Sequence, residues 1–329
     1  MPALLPTPEF WASDGVLPRL LQPVAWAYAA AGAARQAWTR PWRAPVPVIC
    51  IGNLTAGGAG KTPVALSLAG RLQHHGHRVH ILSRGYGGAL PGPLAVDTAR
   101  HDAASVGDEA LLLGAAMPAW VARDRVAGAR AAAAAGAGIL LLDDGLQNPT
   151  LAKDLALAVV DGGYGFGNRR VLPAGPLREP LAAGLARCDA VVLMGSDEAQ
   201  VAPLAVGKPL LRARLEAENA AEFAGRPVFA FAGIGRPAKF FATLEALGAR
   251  LVARHGFPDH HPYNDAELDR LAAGAAAARA ALVTTAKDAA RLPPPWRARI
   301  GVLRVAVAWE DEAALDAVIA RALARRGDG

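Results

Sequence analysis

The chain has 329 residues, of which 53% are hydrophobic and 19% are charged. That length is sufficient for two domains, and the high apolar fraction excludes an intrinsically disordered chain. Lys and Arg exceed Asp and Glu by 35 to 29, a formal net charge of +6, so anionic partners are favoured. Nucleic acid is not expected among them, because the sequence has no zinc-finger spacing, no RNP-like aromatic motif and no Lys/Arg-rich block. The two cysteines, Cys50 and Cys188, lie far apart and are predicted to be reduced thiols.

The first segment, residues 1–44, combines a short apolar run with tryptophan and arginine. Its longest uncharged apolar stretch, residues 23–34, has 12 residues, whereas a membrane-spanning helix needs about 20. The residues that follow suit the lipid headgroup region: Arg35, Trp38, Arg40, Trp42 and Arg43. We therefore expect a helix that lies on a membrane surface; the alternative is an ordinary helix packed on the protein core. A cleaved signal peptide is not expected, because no basic region precedes the first apolar stretch.

Strand and helix patterns alternate through residues 45–224. The short, β-branched apolar stretch 46–53 predicts a buried strand, and the amphipathic stretch 63–76 predicts a helix after a glycine-rich loop. Further strands are expected within 77–88, 138–145, 155–163 and 188–195, with helices within 106–117 and 119–136. This spacing predicts an α/β fold with a parallel sheet flanked by helices, the arrangement of a P-loop NTPase core.

The strand–turn–helix rhythm starts again near residue 225. We therefore predict a smaller C-terminal α/β domain over 225–329 that closes over the cleft. Two segments outside this rhythm, 210–217 and 302–309, alternate polar and apolar residues and could pair as a two-strand link between the domains. Such a link would permit hinge motion.

The stretch "TAGGAGKTP", residues 55–63, has the composition of a phosphate-binding loop. Glycines let backbone N–H groups approach phosphates closely, with a helix N-terminus behind them. Lys61 would reach the β- and γ-phosphates and Thr62 would ligate Mg²⁺, although Thr55 stands where the usual motif has its first glycine. A chance glycine-rich turn is the alternative, but it would not predict the strand before and the helix after. The predicted nucleotide-binding residues are Thr55, Ala56, Gly57, Gly58, Ala59, Gly60, Lys61 and Thr62.

Two acid pairs accompany this loop. Asp143 and Asp144 end an apolar strand, where a P-loop protein places an acid near Mg²⁺. Asp108 and Glu109 open a helix, and their alternative role is helix capping and compensation of the helix dipole. Acid pairs at the end of a strand and at the start of a helix, both accompanying one P-loop, favour metal binding and base catalysis.

Two loops carry further candidates. "LPAGPLREP", residues 172–180, frames Arg178 rigidly, which favours anion binding over a plain surface turn. "FPDHHPY", residues 257–263, contains a histidine pair beside an aspartate. Zinc would need three or four ligands, and no second cluster is apparent, so an acid-oriented histidine in phosphoryl transfer fits better.

The stretch "TTAKD", residues 284–288, follows a predicted strand. It is not the guanine-reading pattern N-K-x-D, because Lys287 stands directly before Asp288. This favours ATP over GTP.

Taken together and in order, these motifs resemble the tetraacyldisaccharide 4'-kinase family, the lipid A 4'-kinases of Gram-negative bacteria. The resemblance runs from about residue 15 to 290 and rests on "GNLTAGGAGKTP", "SRGYGG", "VGDEA", "DDGLQN", "LPAGPLREP", "AGIGRP", "FPDHHPY" and "TTAKD". It implies transfer of the ATP γ-phosphoryl group to the 4'-hydroxyl of a lipid A disaccharide 1-phosphate precursor. It also implies a peripheral or monotopic enzyme on the anionic cytoplasmic face of the inner membrane, with no obligate protein partner.

The resemblance also implies residue roles. Asp108 matches the acid that takes the hydroxyl proton, and His260 matches its partner across the cleft. Arg178 matches a catalytic or phosphate-binding arginine, and Arg125 matches another, with Arg123 as the alternative alignment. The candidates for the Mg²⁺ shell are Asp143, Asp144 and Glu109, and their division of the metal stays open.

Two other functions are alternatives to a lipid kinase. A membrane-associated P-loop switch NTPase would leave the second domain with its Asp-His-His loop without a use. A soluble small-molecule kinase would leave the Trp/Arg segment without one.

Overall fold

The computed structural model describes residues 8–327, so the predicted segment 1–44 is described from residue 8 onward. A 3-10 turn, Glu9–Ala12, comes first. The helices of the described residues are α1 Val16–Leu20, α2 Gln22–Trp38, α3 Lys61–His74, α4 Ala103–Val106, α5 Asp108–Ala116, α6 Arg125–Ala134, α7 Leu181–Ala186, α8 Pro237–Ala246, α9 Asp265–Ala277, α10 Ala286–Ala289, α11 Pro294–Arg297 and α12 Glu312–Gly327. The strands are β1 Val48–Gly52, β2 Val79–Ser83, β3 Leu94–Ala95, β4 Ala119–Val121, β5 Ile139–Asp143, β6 Leu155–Asp161, β7 Ala190–Met194, β8 Leu210–Ala217, β9 Pro227–Ala232, β10 Arg250–Gly256, β11 Ala281–Thr285, β12 Gly301–Leu303 and β13 Val305–Trp309.

Nine strands form the larger sheet, in the order β13-β8-β7-β6-β1-β5-β2-β4-β3. All neighbours are parallel except at the two edges, where β13 runs antiparallel to β8 and β3 antiparallel to β4. Every residue of β1, β5 and β6 is buried, which explains their continuous apolar sequences, because helices cover both faces of a parallel sheet. The predicted α/β fold with a parallel sheet is confirmed.

The smaller sheet has the order β10-β9-β11-β12, and all of its pairs are parallel. Its central strand β9 is apolar on both faces and buries Phe231 completely. On one face Phe240 and Leu244 of α8 pack against it, and on the other face Leu268 of α9 does so. We call this unit, residues 218–304, the smaller lobe, and the remainder the larger lobe.

The chain returns to the larger lobe after the smaller sheet. β13 pairs with β8 in the register Val305↔Ala217, so the two segments expected to form a link do lie side by side. α12 then buries Leu315 and Ile319 in the same core cluster as α3. The smaller lobe therefore ends before β13, earlier than the expected boundary at residue 329. The sequence of α12 shows an apolar face but does not indicate which sheet that face covers.

Candidate active site

The glycine-rich loop joins β1, a central strand, to α3. Gly57 and Gly60 have φ angles of +112° and +88°, backbone conformations that side-chain-bearing residues rarely adopt. The Asn53 Nδ2 atom donates a hydrogen bond to the Gly57 carbonyl at 3.0 Å and holds the turn closed. α3 begins at Lys61, so the first backbone N–H groups of this helix face the loop. The result is a concave backbone surface suited to an anion.

The loop at 172–180 braces this surface from the side. The Ala56 N–H donates to the Pro176 carbonyl at 2.7 Å, and the Arg178 N–H donates to the Leu54 carbonyl at 2.8 Å. These bonds fix the Arg178 backbone against the P-loop. Its guanidinium Nη1 lies 3.1 Å from both carboxylate oxygens of Asp144. Arg178 is therefore part of the P-loop surroundings and does not lie in a detached surface turn.

Asp143 and Asp144 have opposite environments at the end of β5. Burial raises the pKa of Asp143 to about 7, and the negative charges of Glu109 and Asp144 add to that shift. Burial also acts on Asp144, but the Lys61 ammonium, 3.9 Å from Oδ2, and Arg178 outweigh it and lower that pKa. Asp144 is thus an ionised, paired carboxylate. The Oδ1 atom of Asp143 is buried and has no hydrogen-bond partner among residues 8–327.

Asp108 and His260 meet where the two lobes touch. Asp108 opens α5 and is 3% exposed, and the His260 Nδ1 atom lies 2.9 Å from its Oδ2 and 3.1 Å from its Oδ1. His260 has a φ of +60°, a strained conformation for a non-glycine residue. Burial would raise the pKa of Asp108, but its hydrogen bond to His260 and the charge of Lys287 lower it overall. His261, in contrast, turns away and lies 3.1 Å from Glu267.

Two cations of the smaller lobe, Lys287 and Arg291, reach the acid pair at the start of α5. The Lys287 ammonium lies 3.2 Å from Glu109 Oε1, and the Arg291 Nε lies 3.5 Å from Asp108 Oδ2. From the sequence, Lys287 bore only on the exclusion of a guanine-reading motif, and its contact with Glu109 was not predicted. The four-residue spacing of the two cations was the available signal, because residues four apart project to the same side of a helical turn.

The two candidate arginines after β4 differ in burial. Arg125 is 4% exposed, donates to the Ala122 carbonyl at 2.7 Å and lies near enough to Asp143 to interact with its charge. Burial lowers the pKa of Arg125 to about 10, although Asp143 opposes that shift. Arg123 instead points outward and donates to the Ala89 carbonyl at 3.2 Å. Arg125 is thus the arginine on the acid side of the cleft.

A second set of contacts joins the lobes beside the P-loop. A Cβ placed on Gly235 would lie 3.8 Å from the Gly58 nitrogen, so the loop before α8 approaches the P-loop closely. The Arg236 guanidinium lies 2.9 Å from Asp161 Oδ2, and Lys239 contacts the same carboxylate. The loop before α8 and the start of that helix therefore contact the larger lobe beside the P-loop.

The N-terminal helices expose most of their apolar side chains. Within α2, which the structure describes in full, Ala25 alone is buried. The exposed large apolar residues of this segment are Val16, Leu17, Leu20, Val24, Trp26, Tyr28 and Trp38, the last 85% exposed. Trp42 differs from this group, because Arg130 stacks over its ring at 4.9 Å and its backbone N–H donates to the Thr150 carbonyl. Within residues 8–327, no helix has both the length and the apolar character that a membrane crossing requires.

A phosphate cradle with a lysine, an acid pair on the neighbouring strand and a second lobe at its mouth define a P-loop phosphotransferase. A family model described as Tetraacyldisaccharide-1-P 4'-kinase matches residues 17–324. The chain belongs to the tetraacyldisaccharide 4'-kinase family, as its motifs predicted.

Individual relatives agree with this membership. The tetraacyldisaccharide 4'-kinase of Rhodospirillum centenum is 59% identical over 329 residues, covering 98% of both chains. That of Gluconacetobacter diazotrophicus is 58% identical over 308 residues, covering 92% of this chain and 94% of the relative. A crystal structure of LpxK from Aquifex aeolicus in complex with ATP matches with a TM-score of 0.75 and 29% identity, covering 93% of this chain and 99% of that one.

Proposed function

We infer that this protein is an ATP-dependent lipid kinase that phosphorylates the 4'-hydroxyl of a tetraacyldisaccharide 1-phosphate in lipid A biosynthesis. The observation that carries this assignment is family membership over residues 17–324, together with a P-loop whose lysine and surrounding acids are all present. ATP as the phosphoryl donor is supported by the related Aquifex aeolicus structure, which holds ATP.

Mg²⁺ is proposed as the companion of ATP. The buried Asp143 Oδ1, which has no partner among the described residues, fits such an ion because carboxylate oxygen is its preferred ligand. No cluster of three or more His, Cys, Asp or Glu side chains in residues 8–327 has ligand geometry. Asp143 and the Thr62 hydroxyl would therefore hold the ion with help from the nucleotide and water, with Asp144 and Glu109 as further candidates. When bound, Mg²⁺ neutralises charge on the phosphate oxygens.

The remaining residues support an in-line transfer. The 4'-oxygen forms a bond to the γ-phosphorus as the bond between that phosphorus and the ADP oxygen breaks. The 4'-hydroxyl proton passes to the ionised Asp108, a general base oriented by His260. Lys61 and Arg178, which flank Asp144, offset the negative charge on the transferred group. Arg125 adds a third cation on the acid side.

We also propose that α1 and α2 dock on the anionic inner-membrane surface. Their exposed tryptophans and leucines suit the boundary between headgroups and acyl chains, and Arg35 and Arg40 are exposed beside them. A peripheral location on the cytoplasmic face would bring the P-loop to a substrate that is itself anchored in that bilayer.

The decisive experiment is mass spectrometry of the lipid after incubation with the protein, ATP and Mg²⁺. We expect the tetraacyldisaccharide 1-phosphate to gain one phosphoryl group, and a folded Lys61→Ala variant to give none. ATP consumption that is equally fast without the lipid would contradict the kinase assignment and indicate a switch NTPase.

A further inference from the structure

Lys287 sits among three acceptors at the lobe interface. Its Nζ lies 3.2 Å from Glu109 Oε1, 3.3 Å from His260 Nε2 and 3.5 Å from Asp259 Oδ1. An ammonium group carries three hydrogens and has no lone pair, so each of these contacts has Lys287 as the donor. The side chain is largely buried, and the three carboxylates around it, those of Glu109, Asp108 and Asp259, raise its pKa despite that burial. Lys287 therefore stays charged at neutral pH.

The donor role of Lys287 determines where the His260 ring carries its proton. A ring nitrogen that accepts a hydrogen bond must present its lone pair, so Nε2 is unprotonated. The single ring proton then resides on Nδ1, which lies 2.9 Å from Asp108 Oδ2. In this tautomer the histidine donates to Asp108, and Asp108 keeps its negative charge.

We propose that Lys287 is a positioning residue that fixes His260 in the Nδ1-protonated tautomer and thereby leaves Asp108 as the group that takes the substrate proton. The inference rests on the base role proposed above for Asp108. It goes further by giving a function to Lys287, whose contacts are with Glu109, His260 and Asp259.

The other groups facing His260 show what Lys287 prevents. Asp259 Oδ2 lies 3.7 Å from Nε2, whereas Asp108 faces Nδ1, and the centroids of the Tyr86 and His260 rings are 5.5 Å apart. Without Lys287, the imidazole would lie between two carboxylates. Nothing would then hold the ring proton on Nδ1, and in the other tautomer Nε2 would donate to Asp259 while Nδ1 turned its lone pair towards Asp108.

The test is nitrogen-15 NMR of histidine-labelled protein at one neutral pH, with the His260 signals assigned by their loss in His260→Gln. We expect one protonated and one unprotonated ring nitrogen in the wild type and in Lys287→Arg, which keeps a charged donor. In Lys287→Met we expect both tautomers to be populated, so that the signals of the two ring nitrogens move towards a common averaged position. An unchanged His260 signature in a folded Lys287→Met protein would overturn the proposal.

Kinetics provide a second readout with a matched control. Lys239 also crosses the lobe interface but contacts Asp161, so Lys239→Met removes an inter-lobe ion pair and leaves His260 untouched. We expect Lys287→Met to lower kcat by about 10-fold to 100-fold with the KM for ATP unchanged, and Lys287→Arg to restore most of the rate. Equal kinetic defects in Lys287→Met and Lys239→Met would mean that Lys287 only holds the lobes together.

If Asp108 is not the general base, a different experiment shows it. An Asp108→Asn variant with full activity would remove the proposed role of Asp108, whereas the NMR comparison reports the ring tautomer whether or not the enzyme turns over.

Discussion

Asp143 is the carboxylate of the site whose charge is least compensated. Burial, Glu109 and Asp144 together outweigh the cations Lys61 and Arg125, so its pKa rises to about 7. The other carboxylates at the cleft, Asp108 and Asp144, have lowered pKa values because cations or a histidine face them. Such a contrast between neighbouring acids is expected where one of them awaits a cation.

This contrast predicts how stability changes with pH in the metal-free protein. The folded pKa of Asp143, about 7, lies above its unfolded value of 3.8, so its protonated form stabilises the fold at low pH and that contribution is lost as pH rises towards 7. Asp143→Asn, measured in EDTA by thermal unfolding, should be more stable than the wild type at about pH 8, by up to about 4 kcal/mol. The difference should shrink towards about pH 4. A difference that does not depend on pH would contradict the assigned environment.

The Asp108–His260 contact predicts strong non-additivity. Asp108→Asn and His260→Gln should each lower kcat by about 10²-fold to 10⁴-fold with little change in the KM for ATP, and the double variant should be barely worse than the worse single variant. His261→Gln is the control, because His261 contacts Glu267 instead. Losses that multiply in the double variant would mean that the two residues act independently.

The residue-scale features that sequence could predict are those written as local motifs. Lys61, Thr62 and the acid pair at the end of β5 follow a recognisable pattern, so their places were predictable. The contact of Lys287 with Glu109 was not, because it depends on how two segments about 180 residues apart, one in each lobe, face one another. The residue types alone do not show that two such distant side chains lie close together in the fold.

At the scale of secondary structure, the P-loop is held by two elements rather than one. β1 supplies its entry, and the loop 172–180 pairs with its backbone through the Ala56 and Arg178 N–H groups. The strand before the P-loop and the helix after it were predictable, because apolar residues recur along each of them with a clear periodicity. The hydrogen bonds between the P-loop and the loop 172–180 were not predictable, since the latter loop is proline-rich and shows no such periodicity.

The packing of α12 predicts how a substitution in this helix changes the stability of the protein. Ile319 is 6% exposed and packs in the core cluster of the larger sheet, so Ile319→Ala should reduce the free energy of unfolding by about 2–5 kcal/mol. Arg321→Ala, at an exposed position of the same helix, should change it by less than about 0.5 kcal/mol. Urea denaturation provides the measurement. An Ile319→Ala loss as small as that of Arg321→Ala would place α12 outside the core.

At the scale of the whole molecule, the N-terminal segment with α1 and α2 combines exposed apolar side chains with exposed arginines. Arg35 and Arg40 are exposed there, whereas Arg43 is paired with Asp154 at 3.1 Å and is less available to lipid. The net charge of +6 acts in the same direction by attracting the protein to anionic surfaces.

Vesicle binding tests this segment of the molecule. Arg35→Glu with Arg40→Glu should weaken binding to anionic vesicles at low salt, at about 1 kcal/mol per charge removed near the surface, and the effect should shrink as salt is added. The control is Arg250→Glu with Arg321→Glu, an equal change of net charge at exposed positions elsewhere. Equal losses in both variants would show that only net charge matters and that α2 does not dock.

The pairing of β8 with β13 has a consequence for how the protein is made. Because Ala217 and Val305 lie opposite one another, the smaller lobe is a loop insertion within one edge of the larger sheet. The strand and helix that complete the larger lobe, residues 305–327, are therefore translated after the whole of the smaller lobe. A ribosome-bound chain that has just released the smaller lobe still lacks β13 and α12. We expect the inserted lobe to fold while the nucleotide-binding lobe is unfinished, so the phosphate cradle gains its full support only after β13 and α12 have left the ribosome.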